Sequence, residues 1–289
     1  MADVASQARP DIVTPKNDAG VRRRKFTDTR TGTLLLQVGS LLGFLAVWES
    51  LIATGIVNGI LLPAPSDIAS QLAEDAVSFF TGGPMLGHFM TTLTEVVVGF
   101  LAAAVLAIVV GVLLSEFRLF KKAVYPYVIA LSATPRIAFA PLFIVWFGFG
   151  LTSKVVMVAA IAAFPILVNT MAGMDATDRE SLKLMRSLGA TRWQTFRRLK
   201  VPTSLPFVFA GLEGGIIFAA VGAVVAEFTG GSEGLGYLTL VGQELFLLDL
   251  AFSAIIFLAL QGVLLHRLVI ASRRRVVFWQ AQAQEESTR

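Results

Sequence analysis

Cysteine is absent from the 289 residues, and histidine occurs only at His88 and His266. The first absence excludes disulfides and thiol chemistry and leaves the redox compartment open. Two histidines without cysteine give no zinc-ligand set, and no H-E-x-x-H occurs, so no metal site is expected. There is no G-x-x-x-x-G-K-[ST], which excludes a P-loop nucleotide site on this chain. No serine in a G-x-S-x-G context has a plausible histidine partner. The chain is therefore expected to need no cofactor and to catalyse nothing itself. Charge is scarce too: 15% of residues are charged against 55% hydrophobic, and mean hydropathy is +0.72. Those proportions describe an all-α integral membrane protein in a lipid bilayer, not a soluble domain. The net charge of +4 does not indicate nucleic acid, because the basic residues flank apolar runs.

Six apolar runs are long enough to cross about 30 Å of hydrocarbon. They cover roughly 33–53, 90–114, 123–147, 153–173, 204–226 and 249–270. Residues 1–32 are polar, with the basic block Arg22-Arg23-Arg24-Lys25, and read as an N-terminal tail. The run that follows is too long for a signal-peptide core and has no clear cleavage site, so it reads as an uncleaved first span. Residues 271–289 form a C-terminal tail. Segments 54–88 and 227–248 hold no Lys or Arg, whereas the alternate connections are basic. The positive-inside rule places both termini and the Asp178–Pro202 stretch in the cytoplasm.

In the outer segment, Ser66 or Asp67 is expected to cap a short helix through about Phe80, with Leu72, Ala76 and Phe80 on one face. His88, His266, Glu95 and Glu227 lie near span ends and are expected at the interface. Arg136, after Pro135 in the third run, and Glu213, in the fifth, fall at comparable depth near the midplane. An ionisable residue there needs a partner, so the two are expected to pair, within one chain or across a dimer. That pair would either fix helix register or touch a solute. Pro126, Pro135 and Pro141 should distort the third run, because each removes a helical hydrogen bond.

Asp178 to Pro202 carries seven basic residues: Arg179, Lys183, Arg186, Arg192, Arg197, Arg198 and Lys200. At ~3 kcal/mol each on an insertion scale, placing them at the bilayer centre would cost roughly 20 kcal/mol. Yet Leu182, Met185 and Leu188 recur at helical spacing, as do Trp193, Phe196 and Leu199. The pattern predicts two short amphipathic helices joined at Gly189 on the cytoplasmic side. Such an element either lies on anionic lipid or docks a partner.

This stretch resembles the "EAA loop" of ATP-binding-cassette importer permeases. Gly189 occupies the family's glycine, Leu199 the aliphatic position ten residues on, and Val201-Pro202 the closing pair. Lys183-Leu184-Met185 stands where Glu-Ala-Ala would be. Leu62-Pro63-Ala64-Pro65-Ser66, Pro135-Arg136-Ile137-Ala138-Phe139-Ala140-Pro141-Leu142, Val224-Val225-Ala226-Glu227-Phe228 and Gly234-Leu235-Gly236-Tyr237 look like the nitrate, sulfonate, taurine and thiamine-precursor branch. The resemblance implies a type I importer permease fold with a cytoplasmic coupling helix. It implies as partners two ATPase subunits, an extracytoplasmic solute-binding protein and a second permease subunit, read here as a homodimer. Leu188, Gly189, Ala190, Thr191, Arg192, Trp193, Phe196, Leu199 and Pro202 would then form the ATPase-coupling loop.

Overall fold

The computed structural model describes residues 30–279, and every regular element among them is helical. The chain divides into two units, residues 1–50 and 51–289. In the first, α1 (Arg30–Ala53) exposes Leu34, Leu35, Leu41, Phe44 and Val47, as a helix built to face lipid does.

The second unit holds α2 (Pro65–Phe80), α3 (Pro84–Glu116), α4 (Arg118–Ala133), α5 (Ala140–Phe147) and α6 (Leu151–Asp175). After the basic stretch come α9 (Val201–Gly230), α10 (Leu235–Glu244) and α11 (Leu248–Val276); α7 (Arg179–Ser187) and α8 (Arg192–Thr195) lie within that stretch. α3, α6 and α9 form its centre, with Val96, Ala103, Ala107, Val158, Ala162, Ile166, Ala219 and Ala223 buried between them. Lipid is as apolar as these side chains, so close packing rather than hydrophobic transfer holds such helices together. Val158 illustrates this. A Cβ on Gly99 of α3 would stand 2.4 Å from its Cγ1, and one on Gly222 of α9 would stand 3.0 Å from its Cα. The absence of a side chain at those two positions lets both helices close on α6.

Five helices among the described residues, not six, are individually long and apolar enough to cross a membrane: α1 from Thr33, α3, α6, the helix running Arg192–Gly230, and α11. The run expected at 123–147 is broken. α4 ends at Ala133, Arg136–Phe139 forms a 3-10 turn, and α5 begins at Ala140. Pro135 is the cause, since it offers no N–H and its ring disfavours α geometry at Thr134.

The short outer helix also differs from expectation. Ala64 is the N-cap of α2 and Pro65 opens its first turn, so neither Ser66 nor Asp67 occupies the cap. Leu72, Ala76 and Phe79 pack against Met85, Leu235 and Phe257. Phe80 is 84% exposed, one residue too far round the helix to join them. Asp75, on the buried side, accepts a 2.6 Å hydrogen bond from Ser253 of α11.

Candidate functional site

The basic stretch is built from local capping chemistry. Asp178 Oδ2 accepts from the Ser181 backbone N–H at 3.0 Å and starts α7. That N–H holds the Asp178 carboxyl below its usual value. At the other end Gly189 sits at φ +69°, and its N–H donates to Arg186 O while Ala190 N–H donates to Met185 O. This paired closure is the Schellman arrangement, whose left-handed residue is glycine because a Cβ there is strained. Thr191 and Gln194 then cap each other through reciprocal side-chain-to-backbone bonds of 3.2 and 2.8 Å.

The second helix is not separate. α8 passes through a π turn at Phe196–Lys200 directly into α9, so that Arg192–Gly230 runs without interruption for 39 residues. Pro202 would clash with the carbonyl four residues back in a regular helix; the wider turn before it makes room. Gly189 is therefore a joint between a short surface helix and the foot of a spanning helix.

Leu184, Leu188 and Trp193 are exposed at 60%, 72% and 65%. The Trp193 ring stacks on Phe196 at 5.5 Å, and Arg192 and Arg197 are exposed beside them. Ala190, Phe196 and Leu199 are half-buried. Ion pairs anchor this end of the bundle: Lys200 to Glu116 of α3 at 2.6 Å, and Lys121 of α4 to Asp175 of α6.

Arg136 and Glu213 do not take each other in this chain. The Glu213 carboxylate accepts from Arg273 of α11 at 3.1 Å. Arg136 Nη1 donates to Ile161 O at 3.2 Å, with the guanidinium 4.5 Å from the centre of the Phe164 ring. Ile161 O is free to accept because the residue four on is Pro165, which has no N–H to return. A proline in one helix thus determines the partner of an arginine in another.

The end of the bundle away from the basic stretch holds a second polar cluster. Glu95 and Glu227, expected at the interface, are buried between helices, 1% and 0% exposed. Lys154 Nζ donates to Glu95 Oε1 at 2.6 Å and to Glu233 O at 3.3 Å. Glu227 accepts from Thr92 Oγ1 at 2.6 Å and from Tyr237 N–H at 3.0 Å. Gly234, at φ +124°, lies so close that a Cβ there would stand 2.2 Å from the Glu227 carboxyl carbon. Its N–H donates to His88 Nδ1 at 3.1 Å, and the His88 ring stacks on Tyr237. Beside this cluster opens a cleft of about 790 Å³ lined by Glu95, Lys154, Phe149, Ser232 and Glu233. The sequence held one hint of it, Lys154, a lone cation near connections 54–88 and 227–248 that carry acidic residues and no Lys or Arg.

A helical bundle of spanning segments with a capped, exposed basic loop between two of them is the architecture of a membrane permease subunit. The chain belongs to the family described as binding-protein-dependent transport system inner membrane component, whose model matches residues 96–278. It is therefore a multi-pass inner-membrane permease of the ATP-binding-cassette class. It is 35% identical over 242 residues to the riboflavin transport system permease protein RibX of Chloroflexus aurantiacus, covering 84% of this chain and 89% of that one. It is 36% identical over 221 residues to the formylaminopyrimidine transport permease protein ThiX of Halalkalibacterium halodurans, covering 76% and 86%. Its fold is similar to that of the MetNI methionine ABC transporter in an inward-facing conformation, with a TM-score of 0.56 at 20% identity over 67% of this chain and 94% of that chain.

Proposed function

We propose that this permease forms, as a homodimer, the pathway of an importer powered by two separate ATPase subunits and supplied by an extracytoplasmic solute-binding protein. The basic stretch and both termini lie on the cytoplasmic side. Leu188, Trp193 and Phe196 enter an apolar cleft on the ATPase, and Arg192 and Arg197 meet its carboxylates. The observation that carries this reading is the exposure of Leu188 and Trp193 at the foot of an unbroken helix. Large apolar side chains aligned with arginines fit a protein partner, and a continuous helix of about 58 Å, at 1.5 Å per residue, can pass a displacement of its foot to its far end. Closure of the ATPase pair would tilt α9 and switch access to the pathway.

The solute is proposed to be a small nitrogen heterocycle of the pyrimidine or flavin kind, with sulfonate, taurine and nitrate as the other candidates. RibX and ThiX support the first choice. Identifying the ligand that co-purifies with the cognate binding protein tests it. The docking reading is tested by co-purification of the ATPase with the Gly189→Pro/Trp193→Asp permease, which should fail. Normal binding and coupled hydrolysis by that variant would refute it.

A further inference from the structure

We propose that Glu95 and Glu227, with Lys154, form a proton-binding site in which the two carboxyls share a single proton. Three helices bring the groups together: Glu95 from α3, Lys154 from α6 and Glu227 from α9. All three residues are at least nine-tenths buried. Glu95 spends Oε1 on Lys154. Its Oε2 is sealed from solvent and meets no donor among the described residues, while Thr92, one turn before Glu95 on the same face of α3, donates to Glu227 Oε1 at 2.6 Å and so brings that carboxyl beside it. Glu227 in turn accepts from Thr92 and Tyr237 and forms no ion pair among the described residues.

Two neighbouring carboxylates repel strongly where water is excluded, and one ammonium balances only one of them. A proton between them changes both facts. It gives Glu95 Oε2 an O–H···O bond to Glu227, and it brings the sum over Lys154, Glu95 and Glu227 to zero. The proton then belongs to the pair rather than to either residue. The other titratable groups facing the pair do not supply it. His88 already accepts from Gly234 N–H, Tyr237 meets Glu227 through its backbone N–H, and Glu233 meets Lys154 through its carbonyl.

The site also clasps the turn between α9 and α10. Thr92 donates to Glu227 and accepts from Leu235 N–H at 2.8 Å, and Lys154 holds Glu233 O. The cleft beside it is lined by Glu95, Lys154 and Glu233. Lifting that turn parts Glu95 from Glu227 and opens both to water along the cleft. The O–H bond breaks, the proton passes to solvent, and both carboxylates ionise and hydrate. Movement of the turn is thereby linked to release of one proton.

Infrared difference spectroscopy of the full chain in nanodiscs at neutral pH, in H2O and D2O, tests the site without any solute or ATPase, and so stands apart from the importer reading. The expected result is one deuterium-sensitive protonated-carboxyl C=O band per chain, lost in both Glu95→Gln and Glu227→Gln and retained in Glu116→Gln. Absence of that band from the unmodified chain overturns the proposal, whatever the folding of the variants. Exchanging sodium for choline should leave both the band and the amide-exchange protection of Gly234–Tyr237 unchanged. A band that is absent in sodium and appears only in choline would assign the site to a metal cation instead, and overturns the proposal equally.

Discussion

Replacing Gly189 probes the joint between α7 and the foot of α9 through one dihedral angle. Its φ is +69°, and a Cβ built there meets nothing within 4 Å. Alanine thus brings backbone strain without a steric clash, and strain in this region costs an L-residue ~1–2 kcal/mol. Asparagine tolerates the region better, so its cost should be smaller. Proline cannot reach φ +69° and also removes the N–H that donates to Arg186 O. α7 spans only nine residues and is held by its two caps, so it sits at the low-stability end of the molecule. With little packing to absorb the strain, the cost should appear in the population of the docking-competent joint. We expect ATPase affinity, measured on nanodisc-embedded permease, to fall by about 5- to 30-fold for Gly189→Ala. Gly189→Asn should lose less, and Gly189→Pro should abolish binding. An alanine variant that binds as tightly as the unmodified chain, or an asparagine variant weaker than alanine, would refute the reasoning.

Trp193→Ala removes an exposed anchor from a surface already at the solvent, so it should cost about 2 kcal/mol or more of ATPase affinity while leaving thermal unfolding of the free permease unchanged. Arg136→Met leaves Ile161 O without its donor, which should destabilise the bundle by about 1–3 kcal/mol in thermal unfolding. Pro165→Ala in the same chain restores an N–H to that carbonyl and should recover most of the loss; no recovery would mean that the Phe164 contact, not the carbonyl, matters. Asp178 titrates below its usual value of 3.8 because the ionised carboxyl accepts from Ser181 N–H. A depressed value in the folded state means that this cap contributes above pH 3.8 and is lost as pH falls through the lower, folded value. Asp178→Asn should therefore match the unmodified chain at neutral pH by amide exchange over Ser181–Leu184, and should lose the acid sensitivity.

The spanning segments were legible because length and apolarity are local properties, and the joint at Gly189 because a glycine break acts within a few residues; the Thr191–Gln194 cap that follows it was not read. What escaped the sequence depends on contacts between distant segments. Glu95 and Glu227 lie close to helix ends, where residues usually meet water. Glu227 is covered by the turn at Gly234–Tyr237, a closure its glycines allow but do not announce, and Glu95 is met by Lys154 from α6. Arg136 and Glu213 were matched by depth alone. Depth could not reveal that Pro165 frees a carbonyl beside Arg136, nor that Arg273, just beyond the last predicted span, reaches Glu213. The exchange of Phe79 for Phe80 on α2 follows from helical periodicity: Phe79 lies about two full turns after Leu72 and shares its face, whereas Phe80 is turned about 80° away.

The 39-residue helix from Arg192 to Gly230 carries both ends of the proposed cycle. Its foot bears Trp193 and is pinned to α3 by the Lys200–Glu116 pair; its head bears Glu227, clasped by Thr92 of the same α3. The two attachments differ in kind. The first is a half-exposed ion pair, which is worth little and yields readily. The second is a buried, hydrogen-bonded carboxyl, which is costly to break in part. A force on the foot would therefore release the Lys200 end first and pivot α9 about its head, leaving the clasp at Glu227 to open last. Weakening the two attachments separately distinguishes this order from simultaneous release. Lys200→Gln should ease movement of the foot, with amide protection at Gly234–Tyr237 unchanged. Thr92→Val should loosen that turn even in a permease carrying no ATPase. Equal loss of protection in both variants would show that the helix does not pivot, and that its two ends move as one.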